Sequence, residues 1–259
     1  MARRGRGRRT DRHLTSFPSP ERSASRPEPA AIQHCLPLAL AGQLGAVMLS
    51  FVVGIFFYDP ATKQLRTSPG ATAAMFVPLW VAFGFTVVRV ARRRGEHPFG
   101  ERPYVRRVDG LWFLSGIAAQ FVVGFVYFYL PIDSEDLARP AREIFDRANE
   151  NPIGVVLLGI AVGIGAPIME ELFYRGVVHR GFVLACRPGS HYLPMILSAA
   201  IFGAIHGQLL QFGGLFGVGL LCAYAFSKTQ RIASAIAVHA GFNLTTVVAL
   251  TVAMFSDKV

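Results

Sequence analysis

Apolar runs of membrane-spanning length, separated by short charged connections, fill most of this chain. A run of 18 or more apolar residues is long enough to cross the hydrocarbon core as a helix. On that pattern spans are drawn at 36–58, 71–91, 109–130, roughly 155–184, 192–212, 213–226 with its flanks, and 232–255. The predicted fold class is all-α, a polytopic transmembrane helical bundle of about seven spans. The loop 131–151 reads as an amphipathic helix lying on the membrane surface.

Composition agrees with the pattern. Of 259 residues, 52% are hydrophobic and 16% charged, whereas a soluble domain carries about a quarter charged residues. Residues 1–35 are rich in Arg, Ser and Pro with too few apolar side chains to pack, and read as a disordered basic arm. The following apolar run is too long for a signal-peptide core. The chain divides into this arm, N-terminal spans and loops over 36–150, and a core over 151–259 that carries the chemistry.

The net charge of +10 suggests nucleic acid at first. Its placement argues against that partner. The arginines sit in the N-terminal arm and in RRRGEHPFGERPYVRR, beside apolar spans, where positive charge retains a loop in the cytoplasm and touches anionic lipid. The N-terminus is therefore expected in the cytoplasm, with lipid as the chain's surroundings, and the chain's size and compact architecture lead us to expect the plasma membrane. Cys35, Cys186 and Cys222 lie far apart, with no CxxC, so neither a disulfide framework nor a thiolate metal site is indicated. Small-xxx-small pairs at Gly159/Gly163, Gly203/Gly207 and Gly213/Gly217 read as helix-packing positions.

The exceptional segment is GIGAPIMEELFYRG, residues 163–176. Ionisable groups within a span are costly and normally face a cavity and a partner. Glu171 and Arg175, four positions apart, share a helix face and suit a salt bridge. Glu170 points about 100° away, and without a cation it is the better proton acceptor in a dry chamber. Pro167 and Gly165 stand just before the glutamates and are expected to kink the helix. Taken alone, solvated charges at a helix mouth account for this segment equally well.

Two further constellations change that balance. In SAAIFGAIHG, His206 follows Phe202 by four positions, and in AIAVHAGFNLTTVVA, His239 and Asn243 share one face. A base, a second proton-handling group and two donors for an oxyanion are what hydrolysis by an activated water needs. A zincin HExxH, a GxSxG elbow and paired intramembrane aspartates are all missing from the sequence. For the three sites to meet they need a common depth. That requirement slides the fourth span to roughly 160–184 and extends the fifth to 212.

These residues resemble the CPBP family, the CAAX proteases and bacteriocin-processing (Abi) proteins. Its three ordered motifs, EExxxR, FxxxH and HxxxN or HxxxD, stand here as Glu170-Glu171-Leu172-Phe173-Tyr174-Arg175, Phe202-Gly203-Ala204-Ile205-His206, and His239-Ala240-Gly241-Phe242-Asn243. The resemblance implies an intramembrane endopeptidase acting on a membrane-tethered peptide or protein, of a prenylated CaaX or bacteriocin-like kind. It implies that Glu170 and His206 activate the water and that His239 and Asn243 form the oxyanion site, with Glu171, Arg175 and Phe202 in support. The family is often described as metal-dependent, and Glu170, His206 and His239 are a three-ligand set of the kind zinc takes. The metal-free reading is preferred, because Asn243 beside His239 suits a pair of donors. A non-catalytic membrane scaffold or self-immunity protein of the same fold is the alternative, and a transporter a more distant one.

Overall fold

The computed structural model of the chain describes residues 29–60, 64–65, 69–99, 105–132, 136–139, 142–143, 145 and 152–256. Its elements are helices apart from one two-residue ladder. Helices α1 (Pro29–Phe57), α2 (Pro69–Arg94) and α3 (Arg107–Phe128) precede a continuous helical rod, α4, from Pro152 to Ala185. Then come α5 (Tyr192–Ile205), α6 (Phe212–Thr229) and α7 (Ile232–Ser256). Between α1 and α2, strands Tyr58–Asp59 and Gln64–Leu65 pair antiparallel.

Seven helical segments thus stand near the seven expected spans. Five are long and apolar enough to cross a membrane: Cys35–Phe57, Arg107–Phe128, Ile153–Ala185, Phe212–Thr229 and Ile232–Ala253. Of the other two, α2 closes on Arg92, Arg93 and Arg94, and α5 is a shorter apolar helix. Of the expected arm, residues 1–28 lie outside the described residues, and α1 begins at Pro29 within the arm's last residues. Most of the expected surface helix over 131–151 also falls outside them, although Asp136–Leu137–Ala138–Arg139 is helical.

The exposed face is apolar. Leu44, Met48, Phe51 and Phe56 of α1, Phe121, Phe125 and Phe128 of α3, and Val248 and Val252 of α7 are all largely exposed. A water-soluble monomer rarely shows so large an apolar patch, and lipid tails are the environment that suits it. The core lies between the helices instead, where Phe83, Phe173, Tyr174, Val177, Phe202, Val218, Cys222, Ala225 and Val238 are buried together. Phe83 and Phe173 stack with ring centroids 4.0 Å apart.

Helices α3 and α7 touch backbone to backbone. A methyl group on Gly116 would collide with the Val238 carbonyl, and one on Gly241 with the Phe113 carbonyl. Of the small-residue pairs noted in the sequence, Gly163 meets the Leu244 side chain and Gly203 meets Phe212 and Phe216. Gly207 and Gly217 contact nothing in that way. Gly207 instead has φ +67° and ends α5, a left-handed conformation in which glycine carries no Cβ penalty.

That ending corrects one expectation. The fifth span does not run to 212: α5 stops at Ile205, and His206–Gln211 form a turn before α6. A 14-residue helix is only about 21 Å long, short of the roughly 30 Å hydrocarbon core. His206 therefore stands at the end of its helix, in the turn towards α6, and not within a longer span.

Candidate functional site

The rod α4 carries the first motif, and it is irregular on both sides of it. A π-helical turn, Ala161–Gly165, precedes the α-helical Ala166–Phe173, and a second, Tyr174–His179, follows it. Pro167 stands at the start of that middle piece, and it removes a backbone donor from the preceding ladder. The expected disturbance at Gly165–Pro167 is therefore present as a π-turn. Such bulges lie frequently at functional sites.

Within the middle piece the two glutamates separate as their spacing requires. Glu171 is completely buried and lies 2.9 Å from Arg175 Nε, itself completely buried. The two charges are close without a well-aligned hydrogen bond between those atoms. Arg175 Nη2 donates to the Gly219 carbonyl of α6 at 2.6 Å, and its guanidinium lies 5.2 Å from the Phe202 ring centroid.

The third motif leans on the first. His239 Nδ1 lies 3.0 Å from Glu171 Oε1, and a carboxylate can only accept, so Nδ1 carries the proton. The opposite nitrogen, Nε2, then faces Glu170, 4.0 Å from its Oε2. Glu170 Oε2 is buried, and no group among the described residues donates to it.

The second motif supplies the wall and the other acceptor. Phe202 is 1% exposed and meets Tyr174, His206 and His239 edge to face, with centroids 5.2, 5.0 and 5.4 Å away. Its carbonyl lies 2.7 Å from His206 Nδ1. A carbonyl only accepts, so Nδ1 is the donor, and His206 Nε2 is left with its lone pair.

Glu170 and His206 meet at one cavity of about 320 Å³. Its lining adds Tyr174, Ile205, Leu79 and Phe83, together with Gln43, Ala46, Val47 and Ser50 from α1. His239 and Asn243 are not in that lining. His239 lies behind Glu170, and Asn243 Nδ2 donates to the Val162 carbonyl at 2.9 Å, within the first π-turn. Glu170 and His206 are thus brought together, His239 joins them through Glu170, and Asn243 secures α7 to α4.

The alternative zinc set, Glu170, His206 and His239, does not converge among the described residues. Among the described residues no three His, Cys, Asp or Glu side chains are placed to hold a metal ion. His239 Nδ1 and His206 Nδ1 are both engaged by protein oxygens. The chemistry below is therefore derived from protein groups alone.

Two features escaped sequence reasoning. Asp109 and Arg231, both almost completely buried, form a bidentate pair, with Nη1 donating to Oδ1 at 3.0 Å and Nη2 to Oδ2 at 2.8 Å. Ser234 Oγ and the Arg106 backbone N–H also donate to Asp109, both at 2.7 Å. They join the first turns of α3 and α7, but 122 residues separate the pair and no local pattern connects them. The other feature is Gln43, whose partner Tyr174 is 131 residues away.

Comparison with known proteins agrees with the motifs. Residues 152–245 match the family described as type II CAAX prenyl endopeptidase Rce1-like. The UPF0177 protein YbdI of Lactococcus lactis subsp. lactis (strain IL1403) is 26% identical over 174 residues, covering 64% of this chain and 90% of that protein. No solved structure matches the chain significantly.

Proposed function

We propose, from the match of residues 152–245 to the type II CAAX prenyl endopeptidase family, that this chain hydrolyses a peptide bond of a membrane-associated substrate with a water activated by Glu170 and His206. The observation that carries this reading is the shared cavity. Two side chains, one within α4 and one just past the end of α5, line it together, one with an unpartnered buried carboxylate oxygen and the other with a ring nitrogen available as an acceptor.

Their depth supports the same reading. Glu170 stands about 22 Å along α4 from Ala185, and His206 about 21 Å along α5 from Tyr192. The two helices run antiparallel through a short connection, so these distances carry both groups to one level.

In the proposed reaction a water donates one hydrogen to Glu170 and the other to His206 Nε2. As its oxygen attacks the carbonyl carbon, Glu170 takes the proton. The C–N bond then breaks, and Glu170 returns that proton to the departing amine. The oxyanion forms beside Glu170, where His239 Nε2 points. A proton on Nε2 makes His239 a donor to that charge. Asn243 takes a positioning role through Val162.

The substrate is a peptide tethered in or at the bilayer, prenylated CaaX-type or bacteriocin-like, and it reaches the cavity past α1. Arginine placement supports a plasma-membrane orientation with a cytoplasmic N-terminus. The C-terminal end of α2, the start of α3 and the end of α4 are all basic. The start of α1 packs beside the end of α4, where Leu36 meets Gly181.

The test is cleavage of a panel of membrane-tethered peptides, farnesylated and unlipidated, by the protein in nanodiscs. Wild type is compared with Glu170→Gln and His206→Ala. Each variant is expected to lose cleavage by about 10²- to 10⁴-fold while remaining folded. Wild type and Glu170→Gln equally inert on every peptide would favour a binding-only scaffold or immunity protein with this fold.

A further inference from the structure

The cavity has a wall that lies outside the matched family region. Gln43, Ala46, Val47 and Ser50 all line it, and their spacing of three, four and seven puts them on one face of α1. This helix runs antiparallel to α4: Leu36 meets Gly181, and Gln43 meets Tyr174. Continuing that register brings the turn at Ala46–Val47 level with Glu170. The wall therefore faces the proposed reacting groups directly.

Hydrogen-bonding capacity in this cavity is unbalanced. An ionised Glu170 only accepts, and His206 presents the acceptor Nε2 because Nδ1 is committed to Phe202. The Tyr174 hydroxyl is committed too, since it donates to Gln43 Oε1 at 3.0 Å. That bond fixes the Gln43 amide with Nε2 turned away from Tyr174. Among the described residues no protein group accepts from Nε2. Gln43 thus brings two amide hydrogens to a site otherwise dominated by acceptors, with Ser50 one face-repeat further on. The rest of the lining, Ala46, Val47, Leu79, Phe83 and Ile205, is apolar.

We propose, building on the proteolytic reading above, that Gln43 is a substrate-binding residue of α1. Its Tyr174-oriented amide donates to the carbonyl at the scissile position of the bound peptide, while the apolar wall holds the neighbouring side chain. The ligand is an extended peptide segment with an apolar side chain beside the bond to be cut. Tyr174 is a positioning residue, acting through the amide.

The experiment measures binding in nanodiscs to the Glu170→Gln protein, so that turnover does not enter. The probe is a fluorescent peptide ending in S-farnesyl-cysteine and three apolar residues. A second probe has the carbonyl at the scissile position reduced to methylene. The expected result is that Gln43→Leu weakens the first probe about tenfold. The reduced probe should bind the parent about tenfold more weakly too, with no further loss in the Gln43→Leu protein. Tyr174→Phe should fall between parent and Gln43→Leu, and Gln43→Met, which keeps the side chain's length, should reproduce the leucine variant if folding is intact.

Equal weakening of both probes by Gln43→Leu, or no weakening of either, would overturn the assignment. Absence of measurable binding by the parent would overturn it as well. Coupling between Gln43 and the carbonyl in a protein whose wild type never cleaves would instead retain the binding role and remove the proteolytic one.

Discussion

His239 Nδ1 and Glu171 Oε1 stand 3.0 Å apart, so the histidine of the third motif is held by the second glutamate of the first. That carboxylate also faces Arg175, which makes one buried chain of Arg175, Glu171 and His239 behind Glu170. The adjacent glutamates consequently have different work. Glu171 holds the frame, and Glu170 faces the cavity.

The frame and the base should separate in a stability measurement. Arg175→Ala would leave Glu171 buried without its cation, at a cost of about 3–5 kcal/mol. Glu170→Gln keeps shape and breaks no hydrogen bond at the buried Oε2, so its unfolding midpoint should stay near wild type. Thermal unfolding in nanodiscs distinguishes them, and equal destabilisation would contradict this division.

Phe202 should matter through its ring. Phe202→Ala removes the contact surface of Tyr174, His206, His239 and the Arg175 guanidinium, and is expected to cost about 3–5 kcal/mol. The bond from His206 Nδ1 goes to the Phe202 backbone carbonyl and does not depend on the side chain. Phe202→Leu should therefore retain much of the cleavage rate while lowering the unfolding temperature. A leucine variant as inactive as His206→Ala would show that the ring does more than pack.

The Asp109–Arg231 pair predicts a non-additive series. Either residue replaced alone, as Asp109→Leu or Arg231→Met, strands a buried charge and should cost about 3–5 kcal/mol. The double variant should recover a good part of that loss. Recovery will be incomplete, because the Ser234 hydroxyl and the Arg106 N–H also give their hydrogens to Asp109. Simple addition of the two single effects would mean that the pair is not coupled.

Helix positions were legible in the sequence because lipid imposes length and polarity together. All seven expected spans coincide with helices, and Glu171–Arg175 follows directly from four-residue spacing. What was not legible depended on chain termination and distant contacts. A lone Gly207 does not show whether it packs or ends a helix, so α5 was drawn too long. Asn243 read as a second donor for the reaction, and nothing local showed that a π-turn in α4 would present the Val162 carbonyl to it. Gln43 lacked any visible partner within its own span.

Close approach of α3 and α7 yields a prediction with an internal control. An alanine at Gly116 or Gly241 would force its methyl group against a facing backbone carbonyl, and backbone cannot give way as a flexible side chain does. Each is expected to lose at least about 1–3 kcal/mol. Gly45 in α1 has open space around its Cβ position, so Gly45→Ala should be neutral or slightly stabilising, since alanine favours helix. Similar losses at all three positions would point to helix propensity or insertion, not to this contact.

Chelation tests the donor geometry. A tetrahedral zinc site needs three protein ligands about 2 Å from the metal, and each histidine must offer a lone pair. His239 can offer only Nε2 while Nδ1 is held by Glu171, and His206 only Nε2 while Nδ1 is held by the Phe202 carbonyl. Those atoms and Glu170 do not converge on one point among the described residues. Cleavage by the wild-type protein is therefore expected to survive prolonged dialysis against a strong chelator with kcat/KM unchanged, and added zinc should not raise it. Loss of activity in chelator with stoichiometric rescue by zinc would require His206 and His239 to swing onto a common centre with Glu170. The carboxylate would then be a ligand, and the base would have to be sought elsewhere in the cavity.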